Sequence, residues 1–284
     1  MKPVFSNTSQ WFRSLSQSHT DAGQHYDLFG RIGPFPTDNH YPIINMGLWQ
    51  DPHETFQAAT ENLFALVQAM AEITSSDVVL DVGCGYGSNA ILSQKTYRPR
   101  KTIGLNLSQV QLDVANELAA KEKLKNVHFI KGCATSIPLD DASVDKIMTV
   151  EAAFHFDSRE DFFKEAFRVL KPGGLLVGVD LVVNPPITII DRINLPLLKR
   201  GQQIPDSNVY DATQFKEKLG VHGFQPLLFK KITDLVLPGF EKWFWQRSWK
   251  DILAVNLLVG LANIGYFAYP WDYVQFKQRK PFSN

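Results

Sequence analysis

The sequence predicts an α/β protein built on a doubly wound, mainly parallel sheet of seven strands. Between about residues 75 and 183, short β-rich runs alternate with helical runs, the pattern of a parallel sheet covered by helices. A strand that ends in several glycines, followed directly by a helix, opens this region. Two further strand-like segments follow nearer the C terminus. A helical cap before the sheet and a helical insert before the last strand complete the predicted fold.

The first part of the sheet is predicted from apolar runs and helix caps. Ser108 is a good N-cap residue, and apolar residues recur at helical spacing after it. The predicted elements are a strand at Val78–Val82, a helix at 87–94, a strand at 102–105, a helix from 108 to about 122 and a strand at 127–130.

The second part begins with a fourth strand at 145–150. Ser158 is predicted to cap a helix with an apolar stripe, which Lys171-Pro172-Gly173-Gly174 ends before a fifth strand at 175–183. Pro185 and Pro186 then break this strand. The remaining predictions are a helix at 211–219, a sixth strand at 224–237, a helical insert and a last strand at 272–276.

Composition narrows the classes of partner. The 284 residues include 29 basic and 29 acidic side chains, so the formal net charge is zero. The chain therefore has no excess of positive charge that would favour binding to nucleic acid or to an anionic membrane. The two cysteines, Cys84 and Cys133, form neither a metal-ligand pattern nor a disulfide framework. The polar N-terminal stretch lacks the apolar core of a secretory signal, so the cytoplasm is the expected location.

One uncharged stretch complicates this interpretation. Residues 252–271 carry no charge, and twenty residues are enough to span a bilayer. Asn256, Asn263 and Pro270 interrupt the stretch, which favours a buried or ligand-facing helix. Membrane contact remains the alternative.

The strongest chemical signal is the turn Asp81-Val82-Gly83-Cys84-Gly85-Tyr86-Gly87. Glycines let the backbone turn tightly and approach a ligand, and the following helix begins with free N–H groups. Dinucleotide-binding folds use a similar turn, but their acidic residue lies about twenty residues further on. An acid inside the turn suits a ligand with an ammonium and a sulfonium group rather than a pyrophosphate.

Five blocks in this order carry a resemblance to a known family: VLDVGCGYG, GLNLSQVQL, GCATSIPL, DKIMTVEAAFHF and FRVLKPGGLLV. Together they resemble the class I methyltransferases that use S-adenosylmethionine (SAM), over roughly residues 74–183. The stretch VEAAFHFDSREDFFKEAFRVLKPGG resembles the O-methyltransferases of macrolide sugars and related natural products. The ubiquinone, tocopherol and sarcosine methyltransferases are similar too.

The resemblance implies three regions: cap helices at 1–73, a SAM-binding core at 74–183, and a remainder at 184–284 with an acceptor lid at about 240–269. Asn106 stands where the family usually has an acid for the ribose, and Cys133 where it has an Asp for adenine. The implied cofactor-binding residues are Tyr26, Asp81, Gly83, Cys84, Gly85, Gly87, Asn106, Leu107, Gln111, Cys133, Ala134 and Glu151.

The catalytic hypothesis centres on Glu151, His155 and Asp180. The fourth and fifth strands are expected to be neighbours, so His155 and Asp180 could meet at their carboxyl ends. An imidazole suits the role of general base for an acceptor hydroxyl, and a carboxylate would orient it. Glu151 is expected to support the cofactor pocket. A divalent metal held by Glu151, Asp157 and Asp180 is an alternative, but their spacing is not a recognised ligand pattern, so no metal site is predicted.

The acceptor is expected to be a lipophilic small molecule. The insert is rich in aromatic residues, including Trp243, Phe244 and Trp245, which suggests an apolar pocket. An oligomer interface or ordinary core is the alternative explanation. O-methylation is the leading hypothesis; methylation at carbon or nitrogen, and a SAM-binding scaffold without turnover, are the rivals.

Overall fold

A computed structural model describes residues 42, 45–51, 53–185, 204–246 and 271–282. Its strands lie close to the predicted positions. They are β1 (Val78–Val82), β2 (Lys101–Asn106), β3 (Val127–Lys131), β4 (Val144–Val150), β5 (Leu170–Val183), β6 (Gln225–Lys231) and β7 (Trp271–Arg279).

The helices alternate with these strands. Ser108 and Ser158 cap two of them through their side chains, as predicted. The described helices are α1 (Phe56–Ala71), α2 (Ser88–Tyr97), α3 (Gln109–Lys121), α4 (Arg159–Val169), α5 (Ala212–Val221) and α6 (Thr233–Trp245), with short 3₁₀ turns at Ala153–His155 and Asp206–Asn208.

The sheet has seven strands in the order β3-β2-β1-β4-β5-β7-β6. The pairs from β3 to β5 are parallel, whereas β7 runs antiparallel to both β5 and β6. The predicted fold class is confirmed. The chain leaves β1 toward β2 and later returns to β4 on the other side, so the topological switch point lies between β1 and β4. Ligands bind at such a point in open α/β sheets.

Two apolar layers cover the sheet. On one face, Leu63 and Val67 of α1 and Phe240 of α6 pack with Val79 and Val177 of the strands. On the other face, buried residues of α4 and α5 pack against the strands, including Phe162, Phe163, Phe215, Leu80 and Ile147. Helix α1 packs directly on β4 and β5, so this last part of the predicted cap belongs to the helical layer of the sheet.

Two element boundaries differ from the prediction. The segment 224–237 is not one strand: β6 ends at Lys231, and α6 begins at Thr233 and continues through Pro238. The buried residues Val236, Phe240 and Phe244 repeat every four positions, which is the spacing of a helix face. The KPGG segment lies within β5, which begins at Leu170, and a register shift against β4 accommodates it.

No helix in the described ranges is long and apolar enough to cross a membrane. The apolar stretch 252–271 lies outside them except for Trp271, which begins β7. The predicted cap before residue 42 also lies outside the described residues.

Candidate active site

The glycine turn after β1 lies at the switch point, between the ends of β2 and β4. Gly83, Gly85 and Gly87 all have positive φ angles, of 74°, 54° and 78°, which L side chains rarely adopt. Neighbours crowd two of these glycines: a Cβ on Gly83 would lie 2.4 Å from Ala152 Cβ, and one on Gly87 would lie 2.5 Å from Phe129. Among the described residues, no atom lies within 4 Å of a Cβ added to Gly85, so this part of the chain leaves the turn open to a ligand there.

Asp81 is the buried acid of this turn, with 2% of its surface exposed. Its Oδ1 accepts a hydrogen bond from Asn89 Nδ2 at 3.1 Å, while its Oδ2 has no hydrogen-bond partner among the described residues. Burial raises the pKa of Asp81 to about 7, against the hydrogen bonds from Asn89 and Ala90. A buried carboxylate with an unused oxygen is suited to a cationic donor such as the ammonium group of an amino acid.

A cavity opens beside Asp81 and is lined by both the turn and neighbouring segments. The hydroxyl of Ser88 donates to the carbonyl of Pro42 at 2.6 Å and so ties the N-terminal segment to this cavity. The lining residues are Pro42, Phe64, Asp81, Gly83, Cys84, Gly85, Tyr86, Ser88, Asn89 and Val150.

The end of β2 presents an amide rather than an acid. Asn106 Nδ2 donates to Gln111 Oε1 at 2.7 Å, and a side-chain hydrogen bond joins Gln111 to Tyr86. This chain links β2 and α3 to the glycine turn. Leu107, directly after β2, is half-buried. The arrangement leaves Asn106 Oδ1 as the group at this strand end that can accept from a ligand hydroxyl.

Cys133 and Ala134 follow β3 at the same edge of the sheet. Cys133 Sγ lies 3.1 Å from Thr135 Oγ1, and its carbonyl accepts from Ser136 N–H at 3.1 Å in a tight turn. Ala134 is buried. Burial also raises the pKa of the Cys84 thiol, so this thiol stays protonated inside the glycine turn.

Glu151 follows β4 in the left-handed region, with φ at 48°. Its Oε1 accepts hydrogen bonds from Met46 N–H at 2.7 Å and from the hydroxyl of Tyr273. Burial raises the pKa of Glu151 to about 7, although both donors oppose the shift. Glu151 therefore joins the N-terminal segment, β4 and β7. Sequence reasoning gave neither Met46 nor Tyr273 a role at Glu151, because a backbone N–H donor leaves no side-chain signal and Tyr273 lies 122 positions away.

His155 ends the 3₁₀ turn that follows Glu151, and its ring packs on that of Phe154 with 3.7 Å between centroids. This turn lies against the glycine turn, since Ala152 is the residue that a Cβ on Gly83 would meet. Phe156 is next nearest, at 3.4 Å. The sequence placed His155 and Asp81 at one edge of the sheet, and the structure brings their two turns into contact.

Asp180 is bonded by Arg159 and by the backbone of the 3₁₀ turn. Its Oδ2 accepts from Arg159 Nε at 2.9 Å, and its Oδ1 accepts from the Phe154 backbone N–H at 3.3 Å. Asp180 and Arg159 are both almost fully buried. The start of α4 lies close enough to β5 for Arg159 to bond this carboxylate, while the pairing of His155 with Asp180 stays a prediction.

The aromatic residues at the end of α6 are partly core. Trp243 stacks on Phe56 of α1 with 3.8 Å between ring centroids, and Phe244 is buried. Trp49 Nε1 donates to the carbonyl of Met46 at 3.0 Å, and Trp49 packs over Gly239 of α6. These contacts favour the packing explanation for them. Trp245 ends α6 with half of its surface exposed. Tyr26 and the aromatics of the insert beyond residue 246 lie outside the described residues.

No group of three His, Cys, Asp or Glu side chains in the described part of the chain is arranged to hold a metal ion. The fold and the site together define an α/β protein that receives a ligand beside an acid-bearing glycine turn.

Comparison with known proteins identifies that class more closely. A family model described as a methyltransferase domain matches residues 80–178. The erythromycin 3''-O-methyltransferase of Saccharopolyspora erythraea is 30% identical over 238 residues, covering 80% of this chain and 75% of that protein. The 27-O-demethylrifamycin SV methyltransferase of Amycolatopsis mediterranei is 32% identical, covering 84% and 90% respectively.

Solved structures share the fold. A geranyl diphosphate methyltransferase in complex with GPP and sinefungin superposes with a TM-score of 0.76 at 14% identity, covering 94% of this chain and 99% of that chain. The [4+2]-cyclase SpnF superposes with a TM-score of 0.73 at 23% identity, covering 92% and 95%. The chain belongs to the class I SAM-dependent small-molecule methyltransferases, and its cofactor is SAM.

Proposed function

We propose that this methyltransferase transfers the methyl group of SAM to a hydroxyl of a lipophilic, natural-product-type small molecule, with His155 as the general base. The contact between the His155 turn and the glycine turn at Gly83 is the observation that carries the proposal. Ala152 and Phe156, on either side of the His155 turn, lie against Gly83. With the imidazole near the SAM site, an acceptor hydroxyl between them would meet a base and a methyl donor together.

The chemistry needs one proton acceptor. SAM supplies a methyl group on a positively charged sulfur. As the acceptor oxygen bonds to the methyl carbon, the carbon–sulfur bond breaks and the sulfur takes its electron pair as a neutral thioether. The hydroxyl proton passes to the imidazole of His155, which later releases it to water. The Phe154 ring beneath the imidazole limits its movement.

The cofactor-binding roles are proposed for the residues around the cavity. The free oxygen of Asp81 would accept from the amino group of SAM, and the open side of Gly85 would admit its amino-acid end. Asn106 would bond the ribose, with Gln111 holding its amide in place. Leu107 and Ala134 would contact the adenine. Glu151 would hold the backbone of Met46, and Ser88 would hold Pro42 at the cavity.

Two relatives support hydroxyl as the acceptor. Both the erythromycin and the demethylrifamycin enzymes are named for methylation at oxygen of large natural products. Carbon methylation is the second candidate, because Glu151 is a buried carboxyl with a pKa of about 7 close to His155. Such a group could accept a proton from a carbon acceptor, and an amine acceptor would need no base once deprotonated.

The test measures methyl transfer from tritiated SAM to a panel of acceptors: 27-O-demethylrifamycin SV, hydroxylated macrolides, phenols, isoprenoids and amines. Product NMR then identifies the methylated atom. We expect His155→Ala to lower turnover roughly a hundredfold with SAM affinity kept, since general-base catalysis contributes about that much. His128→Ala, at an exposed position of β3, is the matched control.

Three outcomes would contradict the proposal. Full activity of His155→Ala would show that His155 is not the general base, and positioning of the two substrates would then be the whole mechanism. A methyl group found on carbon or nitrogen would show that the acceptor atom is not a hydroxyl oxygen. SAM binding by calorimetry without transfer to any acceptor would support the scaffold hypothesis.

A further inference from the structure

A buried arginine links α4 to β5 behind the His155 turn. Arg159 has 1% of its surface exposed, and each nitrogen of its guanidinium donates a hydrogen bond. Nε donates to Asp180 Oδ2 at 2.9 Å, Nη1 donates to the carbonyl of Asn208 at 2.7 Å, and Nη2 donates to the carbonyl of Leu181. The guanidinium carbon also lies 5.0 Å from the centroid of the Tyr210 ring.

Asn208 carries this network to both sides of His155. Its Nδ2 donates to the carbonyl of Phe154 at 3.3 Å and to that of Phe156 at 2.5 Å. Its Oδ1 accepts from the Arg159 backbone N–H at 2.9 Å. Asn208 is 3% exposed, so these bonds are shielded from water. One amide therefore bonds the carbonyls of the residues before and after His155.

Asp180 fixes the same turn from the opposite side. Its Oδ1 accepts the Phe154 N–H, while Arg159 holds its other oxygen. The peptide of Phe154 is thus bonded at both its N–H and its carbonyl. A buried ion pair adds little net stability compared with apolar packing, because desolvation of both charges offsets their attraction. Such a network can instead hold the backbone of the 3₁₀ turn in one conformation.

We propose that Asn208, oriented by the Arg159–Asp180 pair, is the positioning residue that sets the direction of the His155 imidazole toward the acceptor. This inference rests on the proposed function of His155. Asn208 does not touch the reacting atoms; it acts through the backbone on either side of the base. Loss of its two donors would let the turn move against Gly83, and a small displacement of a catalytic group can cost a large factor in rate.

The test uses Asn208→Asp, which keeps the shape and the acceptor of the Arg159 N–H but removes both donors. Asn208→Leu, which removes all the side-chain bonds, is the second variant. Arg168→Met is the matched control, because Arg168 of the same helix bonds the carbonyls of Ile137 and Leu139 away from His155. Histidine ¹³Cε1–¹H NMR on protein saturated with S-adenosylhomocysteine follows His155, which His155→Ala assigns.

We expect the His155 resonance to shift in both Asn208 variants. The resonance should stay unchanged in Arg168→Met. In the transfer assay, kcat should fall roughly tenfold with the KM for SAM nearly constant. In the His155→Ala background, Asn208→Asp should cause no further loss, because it acts through the absent imidazole.

An unchanged His155 resonance in both Asn208 variants would overturn the inference while leaving the base intact. A loss of kcat that persists fully in the His155→Ala background would also overturn it, because the effect would then be structural. Full transfer by His155→Ala alone would instead reject the proposed function. The NMR result stands whether or not the acceptor is known, so the two failures are distinguishable.

Discussion

Individual glycines in the turn after β1 differ in what surrounds them. A side chain at Gly83 would clash with Ala152, at the start of the 3₁₀ turn that carries His155. A side chain at Gly85 would meet none of the described residues. Both positions have positive φ, so any L residue there is strained by about 1 kcal/mol or more. Substitutions at the two positions therefore distinguish the side of the turn that is packed from the side that a ligand can approach.

We expect Gly83→Ala to lower the free energy of unfolding by roughly 2–3 kcal/mol, because overpacking adds to the backbone strain. Gly85→Ala should cost only about 1 kcal/mol but should weaken SAM binding, since its methyl group would stand on the open side of the turn. Chemical denaturation and calorimetric titration with SAM measure the two effects. Equal losses of stability in the two variants would contradict this assignment of the turn's sides.

Helices α5 and α6 each contain a glycine with opposite surroundings. Gly220 of α5 is exposed, with no atom within 4 Å of an added Cβ. Gly239 of α6 lies under Trp49, whose Cγ would be 2.2 Å from that Cβ. Glycine is a poor helix former, so the intrinsic benefit of alanine is the same in both helices.

Gly220→Ala should raise the free energy of unfolding by about 0.5–1 kcal/mol. Gly239→Ala should lower it, because Trp49 must leave its position against α6 and Phe56. Urea denaturation followed by circular dichroism compares the two variants with the parent. Should both alanines stabilise the protein, the packing of Trp49 on α6 would be disproved.

At the scale of the whole molecule, two buried carboxyls set a pH dependence. The folded protein holds the pKa values of both Asp81 and Glu151 at about 7, above their ordinary values near 4. The folded state therefore binds protons more tightly than the unfolded state between about pH 4 and pH 7. Their contribution favours folding at the acid end of this window and is lost as the pH rises through about 7.

We expect the free energy of unfolding of the unliganded parent, relative to the double variant Asp81→Asn plus Glu151→Gln, to fall between pH 5 and pH 8. Both replacements keep a similar shape and an acceptor oxygen, so the difference isolates the two charges. Each unit of pKa difference is worth about 1.4 kcal/mol. Thermal and urea unfolding across this range measures the effect, and parallel curves for the two proteins would refute it. Saturating SAM should reduce the slope for the parent, because ionised Asp81 would gain a cationic partner.

Local signals were enough for much of the core. Val78–Val82 is a strand with the predicted limits, and Ser108 and Ser158 cap their helices. Glycine-rich turns and helix caps depend on three or four neighbouring residues, so the local sequence is enough to predict them. The segment 224–237 was misassigned because its β-branched residues favour a strand locally and Pro238 is a typical signal for the end of an element. Packing of Val236 and Phe240 against the sheet makes it a helix instead.

The sequence by itself determined the sheet, the acid-bearing turn and the edge at which Asp81, Glu151 and His155 gather, because periodicity and the parallel topology dictate them. Only the tertiary structure decided their partners. Arg159 takes Asp180, Asn208 holds the His155 turn, and Met46 and Tyr273 meet at Glu151. These contacts join residues up to 122 positions apart. The pairing of buried donors with acceptors depends on how the helices pack on the sheet. A local sequence pattern does not specify contacts between residues so far apart in the chain.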